Sequence, residues 1–173
     1  MSKAYLKGML HDSTERDYTY RISQKNRELV EKLSSIINDL GFKSWIYEEG
    51  GRGVHVVEFS KQVLQDFEIS SESERKDYVR GYFDAEGSVP KSQDVRFYIY
   101  FAQKDEKDLK EVKNFLEEFD INTGKLHRPS KTAKPDYWRF YISSKSHQEF
   151  ARKIGSWHPR KNQLLREMIQ SAP

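Results

Sequence analysis

The chain repeats itself. Arg21-Ile22-Ser23-Gln24-Lys25 precedes a run in which Leu29, Leu33, Ile36, Ile37 and Leu40 recur at helical spacing, closed by Gly41 as a C-cap. Tyr100-Phe101-Ala102-Gln103-Lys104 precedes a second such run, with Leu109, Val112, Phe115, Leu116 and Phe119. The offset is 79 residues at Gln24/Gln103 and is kept at Leu40/Phe119. A duplication of this size is the strongest constraint on the architecture.

Later segments repeat as well. His55, Val57 and Phe59 correspond to Trp138, Phe140 and Ile142 at an offset of 83, and strand alternation places each trio on one face. Tyr137, Arg139 and Tyr141 then take the opposite face. From Val95, the same alternation sets Phe97, Ile99 and Phe101 against Arg96, Tyr98 and Tyr100. Each half reads helix, strand or strands, helix, two strands, helix, with the final helix running from about His158 to Met168. We assign residues 1–70 to the first repeat and 71–173 to the second.

Each repeat opens with a helix. Tyr5-Leu6-Lys7-Gly8-Met9-Leu10-His11-Asp12 aligns with the segment around Val79-Arg80-Gly81-Tyr82-Phe83-Asp84-Ala85-Glu86-Gly87, matching Gly8 to Gly81 at an offset of 73. Ser2 and the Ser71/Ser73 cluster are the candidate N-caps, and Gly87 the C-terminal stop. Asp84 and Glu86 fall in the last turn, where the helix dipole disfavours negative charge by a few tenths to about 1 kcal/mol each. Two carboxylates there point to a divalent cation as partner. The offset falls from 79 to 73, so the first half lacks six residues before Gln24. Ser88 to Lys104 has room for a hairpin turning at Pro90 to Asp94; Ser13 to Ser23 has room for little more than one strand.

Composition limits the alternatives. No apolar run approaches the 18 or so residues of a membrane span, and Met1-Ser2-Lys3-Ala4-Tyr5 lacks a signal peptide's apolar core. The absence of cysteine excludes a disulfide framework and a cysteine zinc site. These features predict a soluble intracellular protein, in cytoplasm, nucleoid or an organelle. Net charge is only +3, but Lys125, Arg128, Lys131, Lys134 and Arg139 cluster with Asp136 as the one acid between them. Basic residues on one face can bind phosphate at modest net charge; alone, such a stretch also reads as solvated surface. His11, His55 and His158 show no metal-ligand spacing, Gly50-Gly51-Arg52-Gly53 reads as a hairpin turn, and Trp45, Trp138 and Trp157 read as core or interface aromatics.

A duplicated unit whose glycine-containing helix ends in acid-Ala-acid-Gly resembles the LAGLIDADG homing endonucleases. Residues Val79 to Gly87 match the nine-residue motif position by position, and the Gln-Lys before each second helix fits the same pattern. The resemblance covers nearly the whole chain. It implies an α+β fold of duplicated αββαββα repeats. The two motif helices would pack at a pseudo-twofold interface, with Gly8 and Gly81 permitting close approach. Two antiparallel sheets would form a saddle over duplex DNA, with the first-half sheet shortened. It also implies phosphodiester hydrolysis with Mg²⁺, or Mn²⁺ in its place, at acids on the motif helices.

Carried over residue by residue, the resemblance places Glu86 at the catalytic, metal-binding acid and Asp84 in a structural role at the helix end. Gln24 and Gln103 match a position tied to the water around the scissile group, although both also read as helix-entry residues. Lys161 is the candidate assisting basic residue, although alone it reads as solvated charge. Arg96, Tyr98, Tyr100, Lys125, Arg128, Arg139 and Tyr141 are the candidate DNA-binding residues, with Arg21, Thr19 and Trp45 of the first half as weaker ones.

The first motif departs from the pattern. His11 aligns with Asp84, Asp12 with Ala85 and Ser13 with Glu86, and no glycine follows. Asp12 can serve as the second metal-binding acid only if the helix end rewinds by about one residue, because neighbouring side chains diverge by about 100°. Three activities stay open: a double-strand endonuclease, a nickase using Glu86 alone, or a non-catalytic binder such as an RNA maturase for intron splicing or a DNA-binding regulator. Duplication within one chain implies a monomer acting on an asymmetric site.

Overall fold

The second helix of each repeat is fixed by its ends. In α2 (Arg27–Asp39) the Asn26 side chain accepts from Leu29 N at 2.8 Å; in α4 (Glu106–Glu118) Asp105 accepts from Lys107 N at 2.7 Å and Asp108 N at 3.2 Å. Both helices close with the same paired bonds: Gly41 N to Asn38 O and Phe42 N to Ile37 O in one, Asp120 N to Glu117 O and Ile121 N to Leu116 O in the other. Gly41 and Asp120, 79 residues apart, both take positive φ, 85° and 59°. The repeat therefore extends to the backbone conformation of the caps.

The computed structural model describes residues 2–51, 53–91, 95–129 and 137–170. Lys131, Lys134, Asp136, Asp94 and Arg52 lie outside the described residues. The chain divides into two units, Met1–Ala85 with Trp157–Pro159, and Glu86–Ser156 with Arg160–Pro173.

In the first unit, α1 (Lys3–Met9) tightens into a single 3-10 turn, Leu10–Asp12, and enters β1 (Ser13–Glu15). Strands β2 (Thr19–Gln24), β3 (Ser44–Glu49) and β4 (Val54–Ser60) complete an antiparallel sheet of order β1-β2-β4-β3. The inner face of the sheet packs on α1 and α2 through Ile22, Val57, Phe59, Leu29, Leu33, Ile36, Tyr5 and Met9. The glycine turn between β3 and β4 is as expected, with Gly50, Gly51 and Gly53 at positive φ. The missing six residues shorten the connection between β1 and β2 rather than delete a strand, so among the described residues the first-half sheet has four strands against three in the second and is not the shortened one expected. A hairpin therefore forms where the sequence suggested room for one strand. The closing helix of this half is only a 3-10 turn, Lys61–Leu64.

Helix α3 (Glu72–Glu86) starts in a capping box: Glu74 N donates to Ser71 Oγ at 3.2 Å, while Ser70 N and Ser71 N each donate to Glu74 Oε2 at 2.9 Å. At the other helix start Ser2 makes no side-chain cap; its hydroxyl donates to Asp77 Oδ2 at 2.5 Å. The expected glycine C-cap at Gly87 is also absent. Gly87 opens β5 (Gly87–Ser88) without a positive φ, so the helix passes directly into a strand.

In the second unit β5 pairs with β6 (Tyr100–Gln103), which pairs with β7 (Trp138–Tyr141). The strand expected from Val95 becomes regular only at Tyr100, although Ile99 O still accepts from Ile142 N at 2.9 Å. Phe101 and Phe140 are register partners and stack at 5.2 Å, and Phe150 meets Phe101 at 6.0 Å. Isolated bridges join His127 to Arg139 of β7 and Thr123 to Ile142 just after it. Between these bridges the segment from Thr123 to His127 is one residue longer than the one from Arg139 to Ile142, as a bulge requires. The chain closes with α5 (His147–Lys153) and α6 (Pro159–Gln170), two helices where the sequence suggested one.

Candidate nucleic-acid interface and carboxylate sites

The motif helices α1 and α3 meet at their glycines. A Cβ on Gly8 would lie 2.3 Å from Tyr78 O and 2.5 Å from Tyr82 N; one on Gly81 would lie 2.1 Å from Tyr5 O. No side chain fits at either position. Beside this contact Asp84 is buried at 2 % exposure and accepts from Tyr5 Oη at 2.7 Å, Trp157 N at 2.8 Å and His158 N at 3.2 Å. Burial, and next the Asp84 carboxylate, hold the Tyr5 phenol well above its ordinary range. Three donors offset the unfavourable dipole end and hold the Asp84 carboxylate inside the helix contact.

The 3-10 turn that ends α1 turns the backbone between His11 and Ser13. His11 Nε2 lies 3.0 Å from the Tyr78 hydroxyl and its ring 4.1 Å from the Tyr82 ring. Ser13 Oγ donates to Leu10 O at 2.6 Å, which commits the aligned acid position to the turn itself. Asp12 is exposed, and Gln24 Nε2 donates to its Oδ2 at 2.5 Å. The structure therefore brings together two of the residues singled out from the sequence. Gln103 instead accepts from Lys104 N at 2.6 Å, folding onto its own backbone.

Glu86 is half-buried as the last residue of α3. Lys161, on α6, is 6 % exposed and so is not solvated surface charge. Both carboxylates, Asp12 and Glu86, are hard oxygen donors at helix ends, where the dipole itself favours a cation. Among the described residues no group of three or more His, Cys, Asp or Glu side chains could enclose a metal ion. Mg²⁺ binds through one or two carboxylates together with substrate phosphates and water, so the donors present fit it.

The outward sheet faces differ in chemistry. On the first, Arg21, Glu58 and Trp45 are register partners across β2, β4 and β3. Arg21 Nε donates to Tyr47 Oη at 2.8 Å and its Nη2 to Glu49 Oε1 at 2.7 Å. Glu58 accepts from Thr19 Oγ1 and Tyr47 Oη, both at 2.7 Å. Those bonds, with Arg16 and Arg21 nearby, hold the Glu58 carboxyl below its ordinary range. Trp45 is 54 % exposed on this face rather than packed in the core.

On the second sheet Arg139 lies 4.2 Å from the Tyr100 ring centroid and reaches Tyr141 Oη at 3.2 Å and Tyr137 Oη at 3.4 Å. Tyr98 stacks on Tyr100 at 5.6 Å, and Tyr100 meets its register partner Tyr141 at 5.5 Å. Arg128 stacks on Trp138 at 4.6 Å, and Lys125 and Arg96 are exposed. Arg96, Tyr98 and Tyr141 share a cleft with Ser144 and His147. Burial lowers the His147 pKa, and its Nε2 donates to Ile142 O at 3.2 Å.

Sequence reasoning missed three residues here. His127 stacks on Tyr141 at 6.2 Å, while Tyr47 and Glu58 join the first-sheet network. Their positions in the strand alternation could have placed Tyr47 and Glu58 on that face.

Paired glycine helices, duplicated antiparallel sheets and helix-end carboxylates define the class. The chain belongs to the LAGLIDADG-like family, whose domain matches residues 10–70 and 73–155. It is similar to the homing endonuclease I-ApeI of Aeropyrum pernix, 27 % identical over 195 residues, spanning 95 % of this chain and 86 % of the relative. The fold matches I-DmoI solved with DNA and Ca at a TM-score of 0.70 and 19 % identity, over 95 % of this chain and 96 % of that one. It also matches the N-terminal LAGLIDADG domain of DUF199/WhiA at a TM-score of 0.68 and 16 % identity, over 88 % and 79 %. The expected α+β fold with two antiparallel sheets is thus the fold observed. No helix among the described residues is long and apolar enough to cross a membrane.

Proposed function

We propose that this protein is a site-specific endonuclease of the homing type, hydrolysing phosphodiester bonds of duplex DNA with a divalent cation. The observation that carries the reading is Asp12. The degenerate motif has lost its aligned acid, yet its rewound end still presents a carboxylate, held by Gln24. The curated relative is a homing endonuclease, and I-DmoI has been solved with DNA and with Mn or Ca. Mg²⁺ is the proposed working ion and Mn²⁺ a substitute.

Glu86 and Asp12 are the proposed metal-binding acids. A bound divalent cation supplies Lewis-acid stabilisation of the phosphate and a water of lowered pKa. The chain's own task is to fix its acids: Gln24 orients the Asp12 carboxylate, and the α3 backbone sets Glu86. Gln103 is proposed to act on solvent near the scissile group after leaving its backbone bond, and Lys161 to hold positive charge in a fixed place, since lysine is rarely buried unless paired. Arg96, Tyr98, Tyr100, Lys125, Arg128, Arg139 and Tyr141 are proposed to face DNA, with Arg21 doing so from the first sheet. The protein is proposed to act as a monomer.

The test is incubation with a randomised duplex library and Mg²⁺, followed by sequencing of the ends. Cleavage at a defined site, lost in Glu86→Gln, supports the enzyme. Selective binding without a cut or nick replaces it by a binding protein, and tighter binding to a parallel randomised RNA library than to the duplex one replaces the substrate.

A further inference from the structure

The arginines of the first sheet are already neutralised. Glu58 stands between Arg21 and Trp45 in the register, with its side chain only 16 % exposed. Arg16 Nη1 lies 3.5 Å from Glu58 Oε1 and Arg21 Nε 3.8 Å from Oε2. The Tyr47 hydroxyl connects the two charges, accepting from Arg21 and donating to Glu58. Glu49 takes the other end of Arg21. Among the described residues, two arginines therefore meet two glutamates, and these four side chains carry no net charge. On the second sheet, by contrast, Arg139 is surrounded by tyrosines and forms no ion pair among the described residues.

A phosphate approaching the first sheet must compete with a carboxylate already hydrogen-bonded by Thr19 and Tyr47. A base edge need not break the cluster, because carboxylate and guanidinium together offer an acceptor beside donors, the pairing suited to cytosine N4 and guanine O6/N7. We propose that Glu58 is a specificity-determining residue that withholds Arg16 and Arg21 from the phosphates of non-cognate duplex. The proposal rests on the nucleic-acid reading above and adds to it a division of labour. Sequence-independent attraction belongs to the second sheet, and the first is kept electrostatically quiet.

Glu58→Gln and Tyr47→Phe test this, with Glu48→Gln as control. Glu58→Gln keeps the shape and removes the charge. Tyr47→Phe removes the connecting hydroxyl with no change in net charge, so any gain in anion binding comes from loosened arginines. Glu48→Gln makes the same charge change on the opposite side of β3. Affinity for a random-sequence duplex is measured across salt concentrations, and elution from heparin, a base-free polyanion, is measured in parallel. Each arginine released to a phosphate steepens the salt dependence by about 0.9 in log–log slope. Glu58→Gln is expected to steepen it by about 1–2 beyond Glu48→Gln, and Tyr47→Phe in the same direction. Equal slopes and equal heparin elution for Glu58→Gln and Glu48→Gln, with Tyr47→Phe like wild type, overturn the proposal. Later heparin elution of both test variants from a protein that binds no duplex keeps the Glu58 clamp and overturns the nucleic-acid reading instead.

Discussion

The Tyr5 hydroxyl donates to Asp84 Oδ2 at 2.7 Å, joining the two motif helices through a fully buried pair. A hydrogen bond to a charged group contributes about 1.5–3 kcal/mol. Tyr5→Phe should therefore lower the urea unfolding free energy by about 2 kcal/mol. Asp84→Ala should cost more, since it strands the Tyr5 hydroxyl and the backbone N–H groups of Trp157 and His158 together. An Asp84→Ala protein as stable as wild type would remove the structural role.

The glycine contact is tighter than any hydrogen bond could compensate. Ala at Gly81 would put a carbon 2.1 Å from Tyr5 O, and Ala at Gly8 one 2.3 Å from Tyr78 O. Both obstacles are backbone, so the helices must move apart. Overpacking typically costs about 1–3 kcal/mol, occasionally more, and these contacts should fall at or above the top of that range. Thermal melts of Gly8→Ala and Gly81→Ala check it; a shift of only a degree or two would contradict the close approach.

Asp120 holds the left-handed cap position that Gly41 fills in the other repeat. Glycine adopts that conformation without a Cβ penalty. Asp120→Gly should therefore stabilise the protein by roughly 0.5–1 kcal/mol, in the range typical of cap optimisation. Calorimetry would show a higher Tm, whereas a lower one would mean the Asp120 side chain contributes more than its backbone strain.

The Gly41/Asp120 pair also shows what sequence could and could not reveal. Apolar spacing carried the offset of 79 through both helices, because helix faces are local. Alternation likewise placed Tyr100 and Tyr141 on one face and Phe101 with Phe140 on the other, as the register has it. Partners distant in the chain were not legible. Asp84 is satisfied by Trp157 and His158, and no local pattern indicates that. Glu58 belonged visibly to a strand, but alternation gives the face of a residue, not its ion pair. Gly87 was misread because a glycine after a helix signals a left-handed cap unless a strand follows at once.

Glu74 gives a pH prediction with a definite sign. Its carboxylate accepts from the backbone N–H groups of Ser71 and Ser70 and from both hydroxyls, which lowers its pKa to about 2 from an ordinary 4.5. A depressed folded pKa means the contribution is complete above about 4.5 and is lost as pH falls through about 2. The Glu74 carboxyl carbon, followed by NMR, should titrate with a midpoint near 2. A midpoint near 4.5 would mean that the capping box is not populated.

Under the proposed function, Asp12 decides how complete the catalytic machinery is. Its neighbour Ser13 occupies the position equivalent to Glu86, but that hydroxyl is spent on Leu10 O at 2.6 Å. If Asp12 supplies the second acid, Asp12→Asn should slow cleavage of one strand and leave the other, so supercoiled plasmid accumulates as nicked circles. Each metal-bound phosphate contact contributes several kcal/mol to the transition state, so the slowed strand should lose at least about 100-fold in rate. Gln24→Ala should give the same product pattern with a smaller loss, because it loosens the carboxylate without removing it. Binding to the duplex in Ca²⁺ should be little changed in either variant, which separates lost chemistry from lost affinity. Linear product forming from Asp12→Asn at the wild-type rate would place the work on Glu86 and not on the rewound end of the first motif helix.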